Sequence, residues 1–224
     1  MTFSSSLADD RRPLVLDTSV LINMHACTYG ERVLTNVDND IVIPDIVARE
    51  LEHETSRKNG DHGFLHTLIA SGKVTVTGMT NEECKLFAIL SSGSPSLDDG
   101  EAATIAIAVR RGFRALIDEQ KGRARAAALM DDKEPGWSLD LLQHPIVVES
   151  LGAHLAADAV YLALRFGRMR IPPERGDQVV KLIGLERALE CTCLPNFKNL
   201  TVKVEIPTPM QAEADVRQDQ SGTE

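Results

Sequence analysis

Leu14-Val15-Leu16-Asp17-Thr18-Ser19-Val20-Leu21-Ile22 is the stretch on which the fold class turns. Three apolar residues in a row, without alternation, suit a short strand covered on both faces, as in a parallel sheet. The run stops at an acid followed by two hydroxyl residues, and Val20 to Met24 opens a helix. The same pattern recurs along the chain. Ile41-Val42-Ile43 stops at Pro44-Asp45, Lys73 to Thr77 is strand-like, Ala115-Leu116-Ile117 stops at Asp118-Glu119, and Ile146-Val147-Val148 reads as a further parallel strand ending at Glu149. Helices fill the intervals. Ile46, Val47 and Leu51 keep helical spacing to about Ser56, and Glu82 to Leu90, Ala102 to Arg111 and Lys121 to Met130 follow, with Gly112 closing the third. Strands alternating with helices in this way predict an α/β sandwich on a parallel sheet.

Outside that frame the sequence turns polar or helical. Arg57 to Gly63 reads as a loop, so His62 and His66 are not expected to share a helix face, and no Glu between them completes a metalloprotease motif. Beyond residue 150 the periodicity is helical, over Leu155 to Arg165 and Gln178 to Leu189 around Pro172-Pro173. It fades from about Glu205. The expected organisation is a flexible 1–12, an α/β domain over 13–150, a mainly helical extension over 151–204 and an acidic tail over 205–224.

The 224 residues carry 24 Lys+Arg against 33 Asp+Glu, a net charge of −9, so the chain does not hold nucleic acid through bulk positive charge. Five acids and one Arg lie from Glu205 onward, so −4 of that total belongs to the expected tail. Four cysteines, Cys27, Cys84, Cys191 and Cys193, are too few and too irregular for a disulfide framework. No apolar run approaches the ~20 residues of a membrane span, and Met1 to Arg12 lacks the basic start and apolar stretch of a signal peptide. The expectation is a cytoplasmic protein without a membrane partner.

The acids carry the functional reading. Asp17, Asp118 and Glu149 each end an apolar run, and ligands of open parallel sheets collect outside the carboxyl ends of the strands. Glu50 and Glu101 lie on helices beside apolar stripes, Glu50 after Ile46 and Val47, Glu101 before Ile105. Carboxylates gathered in one pocket repel one another unless a cation sits among them, and hard oxygen donors suit Mg²⁺ or Mn²⁺. That chemistry points to metal-assisted hydrolysis of a phosphate ester. Asp98 and Asp99 also read as helix caps, through Asp98-x-x-Glu101 and Ser96-x-x-Asp99.

The order Leu14 to Ile22, then Ile43-Pro44-Asp45-Ile46-Val47-Ala48-Arg49-Glu50-Leu51, then Leu97-Asp98-Asp99-Gly100-Glu101-Ala102-Ala103 and Ala115 to Glu119 resembles the PIN-domain ribonucleases over roughly residues 13 to 150. The resemblance implies a three-layer α/β/α sandwich and a Mg²⁺- or Mn²⁺-dependent endoribonuclease site. On it, Asp17, Glu50, Glu101 and Asp118 are the catalytic, metal-binding acids, with Asp98, Asp99, Glu119 and Glu149 as further candidates. Ser19 would hold Asp17 or a bound water. Many bacterial members are toxins of toxin–antitoxin modules, so RNA as substrate, an antitoxin or regulatory protein, and a second copy of the chain are the partners it suggests.

Six basic residues fall within the sixteen positions Arg110 to Arg125, and Arg114, Arg123 and Arg125 are the expected phosphate-gripping rim. Arg165, Arg168, Arg170 and Arg175 form a second cluster in the extension. Two alternatives stand beside the nuclease. One is a PIN-like module that binds RNA or protein without cutting. The other is an α/β phosphatase with Asp17 as nucleophile, which commonly wants an acid where Ser19 stands.

Overall fold

A computed structural model describes residues 5–130 and 134–200. In chain order the elements are β1 (Leu14–Leu16), α1 (Thr18–Ala26), α2 (Gly30–Asn36), β2 (Ile41–Pro44), α3 (Asp45–Glu50), α4 (Glu54–Asn59), α5 (Asp61–Ala70), β3 (Val74–Thr77), α6 (Asn81–Ser92), α7 (Asp99–Arg111), β4 (Arg114–Leu116) and α8 (Gln120–Ala127). Then come α9 (Ser138–Leu142), α10 (Pro145–Leu151), α11 (Ala153–Leu162), a π-helical turn (Ala163–Gly167), a 3₁₀ turn (Pro173–Arg175), α12 (Gly176–Ile183) and α13 (Leu185–Ala188). The expected acidic tail, 205–224, lies outside the described residues.

The strands form one parallel sheet in the order β3-β2-β1-β4, with Leu14 level with both Ile41 and Arg114. From β1 the chain steps outward to β2 and β3, then returns across α7 to place β4 on the other side of β1. The strand order therefore reverses between β1 and β4, and the crevice beyond their carboxyl ends is where such sheets bind ligands.

Alternation along each strand sorts the core into two layers. Leu14, Leu16, Ile41, Ile43 and Leu116 point to one face, where α1, α2 and α5 cover them. Val15, Val42, Ala115 and Ile117 point to the other, against Leu86 and Leu90 of α6 and Ile105 of α7. This is a three-layer α/β/α sandwich. Residues from α9 onward, among them Leu139, Val160 and Val179, join the first of these two clusters, so the C-terminal helices share the core that covers β1. No single helix among the described residues is long and apolar enough to cross a membrane.

Two expectations fail here. Ile146-Val147-Val148 is not a strand but part of α10, opened by Pro145 in the first helical turn. Only Val147 and Leu151 of that helix are buried, an i, i+4 stripe, which a run of three β-branched residues conceals from a reading by strand propensity. Glu149 is consequently an exposed helix residue and ends no strand. The sheet edge beside β4 is met instead by Gly136, bridged in parallel to Leu116. Likewise, Arg57 to Gly63 is not a loop. Gly60, at φ +92°, caps α4 in the left-handed conformation and lets α5 start at once. On α5, His62 and His66 do share a face, with their Nε2 atoms 3.1 Å apart at the surface.

Candidate active site

Asp17 stands where β1 ends, as the N-cap of α1, and its backbone N–H donates to Leu116 O of β4 (3.2 Å). Its carboxylate accepts from the Ser19 hydroxyl at 2.6 Å and from the Ser19 backbone N–H at 3.3 Å, both at Oδ2. Glu50 closes α3 and accepts from the Thr18 hydroxyl. Glu101 lies in the first turn of α7, fastened by its own N–H to the capping carboxylate of Asp98 (2.8 Å). A Cβ on Gly100 would lie 2.8 Å from Glu50 Oε2, 3.0 Å from Thr18 Oγ1 and 3.2 Å from Asp17 Oδ1. Three polar groups from β1–α1 and α3 thus converge on a space beside α7 that exists because residue 100 has no side chain.

These acids are buried with little to balance them. Asp17 and Glu101 are 4% and 3% exposed, and Glu101 Oε1 has no hydrogen-bond partner. Burial pushes the Asp17 carboxyl up to about 7; Ser19 opposes the rise and the charge of Asp98 adds to it. Burial also pushes Glu101 to about 7, reinforced by the charges of Asp98, Asp17 and Glu119. Glu50 is raised as well, by burial first, with the Thr18 hydroxyl pulling against it.

Asp118 is also buried beyond the end of β4 but is differently held. Its Oδ1 accepts from the Ser138 N–H (2.8 Å), and its Oδ2 from the Ser138 hydroxyl (2.5 Å) and from Asn23 Nδ2 (2.6 Å). Burial raises it to about 6, with Ser138 and Asn23 the main restraint. Of about four acceptor positions on a carboxylate, three are filled.

The remaining candidates scatter. Asp98 and Asp99 are exposed on the rim, Asp98 as the cap of α7. Glu119 is half-buried and pairs with Arg170 at 2.8 Å. Arg123 is not on a rim. It is 8% exposed, its Nη1 donates to the Ile117 and Gly136 carbonyls (3.1 and 2.7 Å), and its guanidinium lies 3.6 Å above the Trp137 ring. Arg114 is 2% exposed and donates to Ser6 Oγ (3.2 Å) beside Asp10. Both are bracing cations, because their carbonyl and carboxylate partners lie inside the fold. Of the three expected grips, Arg125 alone is exposed.

Three polar residues escaped the sequence reading. Thr18 and Asn23 were adjacent signals, one and six positions after Asp17. Ser138 lies twenty residues past Asp118 and carried none.

All the acids offer hard oxygens, and the Gly100 space, faced by Asp17 Oδ1 and Glu50 Oε2, suits a cation, while the orphaned Glu101 Oε1 lies on the Gly122 side. Among the described residues no three His, Cys, Asp or Glu side chains form a ready ion cage. Mg²⁺ needs none, since it keeps several waters and takes one or two carboxylates. The donor set therefore fits a Mg²⁺ or Mn²⁺ ion.

No curated protein and no solved structure matches the chain. A family model described as a PIN domain matches residues 13–130, which holds β1 to β4 and all four acids. PIN domains have a nuclease-type fold and typically use divalent metals. The chain belongs to the PIN-domain family.

Proposed function

We propose that this protein is a Mg²⁺- or Mn²⁺-dependent endoribonuclease that hydrolyses RNA phosphodiester bonds at the mouth of the β1/β4 crevice. The observation that carries the reading is that Asp17 Oδ1 and Glu50 Oε2 face one space at Gly100, beside the buried Glu101 that feels the charge of Asp17, with all three carboxyls raised by burial. Such clusters in a crevice are more often functional than structural.

Asp17, Glu50 and Glu101 would hold the ion, with Asp118 as the fourth acid. A bound divalent ion supplies a water of lowered pKa and offsets the charge of the phosphodiester. The chain's own residues prepare the place. Ser19 ties down Asp17 Oδ2, which leaves Oδ1 facing the space at Gly100. Thr18 donates to Glu50 Oε2, the oxygen that itself faces Gly100, and so fixes its direction. Asn23 and Ser138 fix Asp118 and hold back the rise that burial imposes on its carboxyl.

The test is cleavage of total RNA with and without Mn²⁺, wild type against Asp17→Asn. Cleavage that needs Mn²⁺ and is lost in the variant supports the proposal. Undiminished cleavage in the variant overturns it. One observation favours a module that binds without cutting: Asp118 is engaged by three internal donors and faces them. In that case wild type binds the RNA and leaves it whole.

A further inference from the structure

Two of the three residues expected to grip phosphate, Arg114 and Arg123, are consumed inside the fold, which leaves Arg125 exposed, and a further cation would strengthen the hold on a polyanion. The structure places one there from outside the family match. In the segment after the π-helical turn, Met169 and Ile171 are 1% and 5% exposed, while Arg168 and Arg170 between and beside them are exposed. The buried pair anchors the segment and turns the arginines outward. Gly167 seats it against the site: a Cβ there would lie 2.4 Å from Asn23 Oδ1 and 3.2 Å from Ala26 Cβ, and Asn23 is the side chain that holds Asp118. Arg170 then reaches Glu119, the residue after Asp118, at 2.8 Å. Glu119 in turn is near enough for its charge to be felt at Glu101. Only one carboxylate thus separates Arg170 from the acid cluster.

From this juxtaposition we infer that Arg170 is a substrate-binding residue, which grips a phosphate of the RNA chain beside the scissile bond, and that Glu119 occupies it until RNA arrives. The inference rests on the nuclease reading above. The exchange is inexpensive. Arg170 and Glu119 are 60% and 40% exposed in their side chains, and an ion pair of that exposure contributes ~0–1 kcal/mol. A phosphate oxygen offers Arg170 a charge-assisted bond of the same kind as the Glu119 carboxylate does, so the exchange replaces like with like. Contact with a phosphate positions the strand and reads no sequence, so Arg170 should act on all RNAs alike.

The test measures binding of a fluorescein-labelled single-stranded oligoribonucleotide by anisotropy across a salt series, with EDTA present so that no cleavage intrudes. Steady-state cleavage with Mn²⁺ runs in parallel. Arg170→Ala should weaken binding and raise KM roughly tenfold at low salt, change kcat little, and lower the slope of log Kd against log salt by about 0.7. Arg170→Lys should restore most of the slope, because it keeps the charge. Glu119→Gln should tighten binding, because the competing carboxylate is gone. Melting curves confirm that each variant is folded. Wild-type Kd, slope and KM in Arg170→Ala overturn the inference while wild-type cleavage leaves the nuclease reading intact. Loss of the slope in Arg170→Ala alongside a wild type that never cleaves supports the grip and overturns the nuclease. A wild type that neither binds nor cleaves RNA overturns both.

Discussion

Asp17 and Asp118 follow neighbouring strands, are equally buried, and live in opposite circumstances. Asp118 is enclosed by donors from α1 and α9, and sits at about 6. Asp17 has Ser19 as its side-chain donor and Asp98 as an unfavourable neighbour, and sits at about 7 alongside Glu101, whose buried Oε1 has no hydrogen-bond partner. Hydrogen bonding to the charged form offsets part of the desolvation at both acids, through two side chains at Asp118 and through the Ser19 side chain at Asp17, where the charge of Asp98 works against it. One side of the crevice is a polar network that fills three acceptor positions of Asp118, while Asn23 Oδ1 within it has no hydrogen-bond partner. The other is strained by charge and ready for a cation, the usual trade of stability for function at a site.

The largest expected effect breaks the strained side. Asp17→Asn should lower metal-dependent RNA cleavage by about a thousandfold or more, equivalent to ~4 kcal/mol of transition-state stabilisation, in a gel assay under Mn²⁺. The same variant should melt higher than wild type without metal at pH 8, by on the order of 2 kcal/mol, because it removes a buried charge.

Breaking the side around Asp118 should cost less. Ser138→Ala and Asn23→Ala each remove a donor from Asp118 and should reduce kcat about tenfold to a hundredfold, as second-layer supports of ligands do. The lower limb of the pH–rate profile should move upward, since the restraint on the Asp118 carboxyl is relaxed. An unmoved profile would mean that Asp118 takes no part.

The contrast is sharpened by pH. Asp17 and Glu101 have folded values of about 7, above their ordinary 3.8 and 4.5. Stability from a raised acid is present below the unfolded value and is lost as pH rises through the folded one. Metal-free protein should therefore lose stability between about pH 4 and 7, and calorimetry should show the loss flattened in Asp17→Asn. Protons and cations compete for the same oxygens, so Mn²⁺ at a hundred times its Kd should raise stability by about 2.7 kcal/mol at pH 8 and by clearly less at pH 6. Equal shifts at both pH values would place the ion elsewhere.

The smallest effect is steric. A Cβ on Gly122 would lie 2.4 Å from Glu101 Oε1 and 3.0 Å from Ile117 Cγ2. Gly122→Ala should destabilise the fold by about 1–3 kcal/mol in a urea titration and displace Glu101.

Much of this was legible in the chain. Leu14 to Leu16 is a buried strand where expected, and the strand read over Ala115 to Ile117 stands one residue earlier, at Arg114 to Leu116. Glu101 separates from Asp98 and Asp99 because it alone of the three turns inward, as its spacing to Ile105 suggested. The failures share a cause. Ile146 to Val148 and Arg57 to Gly63 were judged from local propensity, whereas one-sided burial made the first a helix and a left-handed glycine joined two helices across the second. Arg114 and Arg123 misled in the same way, since a run of basic residues records charge and not direction.

By itself the sequence determined the class of fold and the acids at its strand ends, because strand length, apolar runs and the residue that halts them are local properties. Tertiary structure decided everything that depends on which segments meet. It set the strand order that brings Asp17 beside β4, the empty volume at Gly100 where three elements converge, and the enclosure of Asp118 by Ser138. It also brought Arg170, 51 positions from Glu119 in the chain, into contact with it. Burial and charge at a site are sums over neighbours from distant segments, and no local window of sequence contains those neighbours.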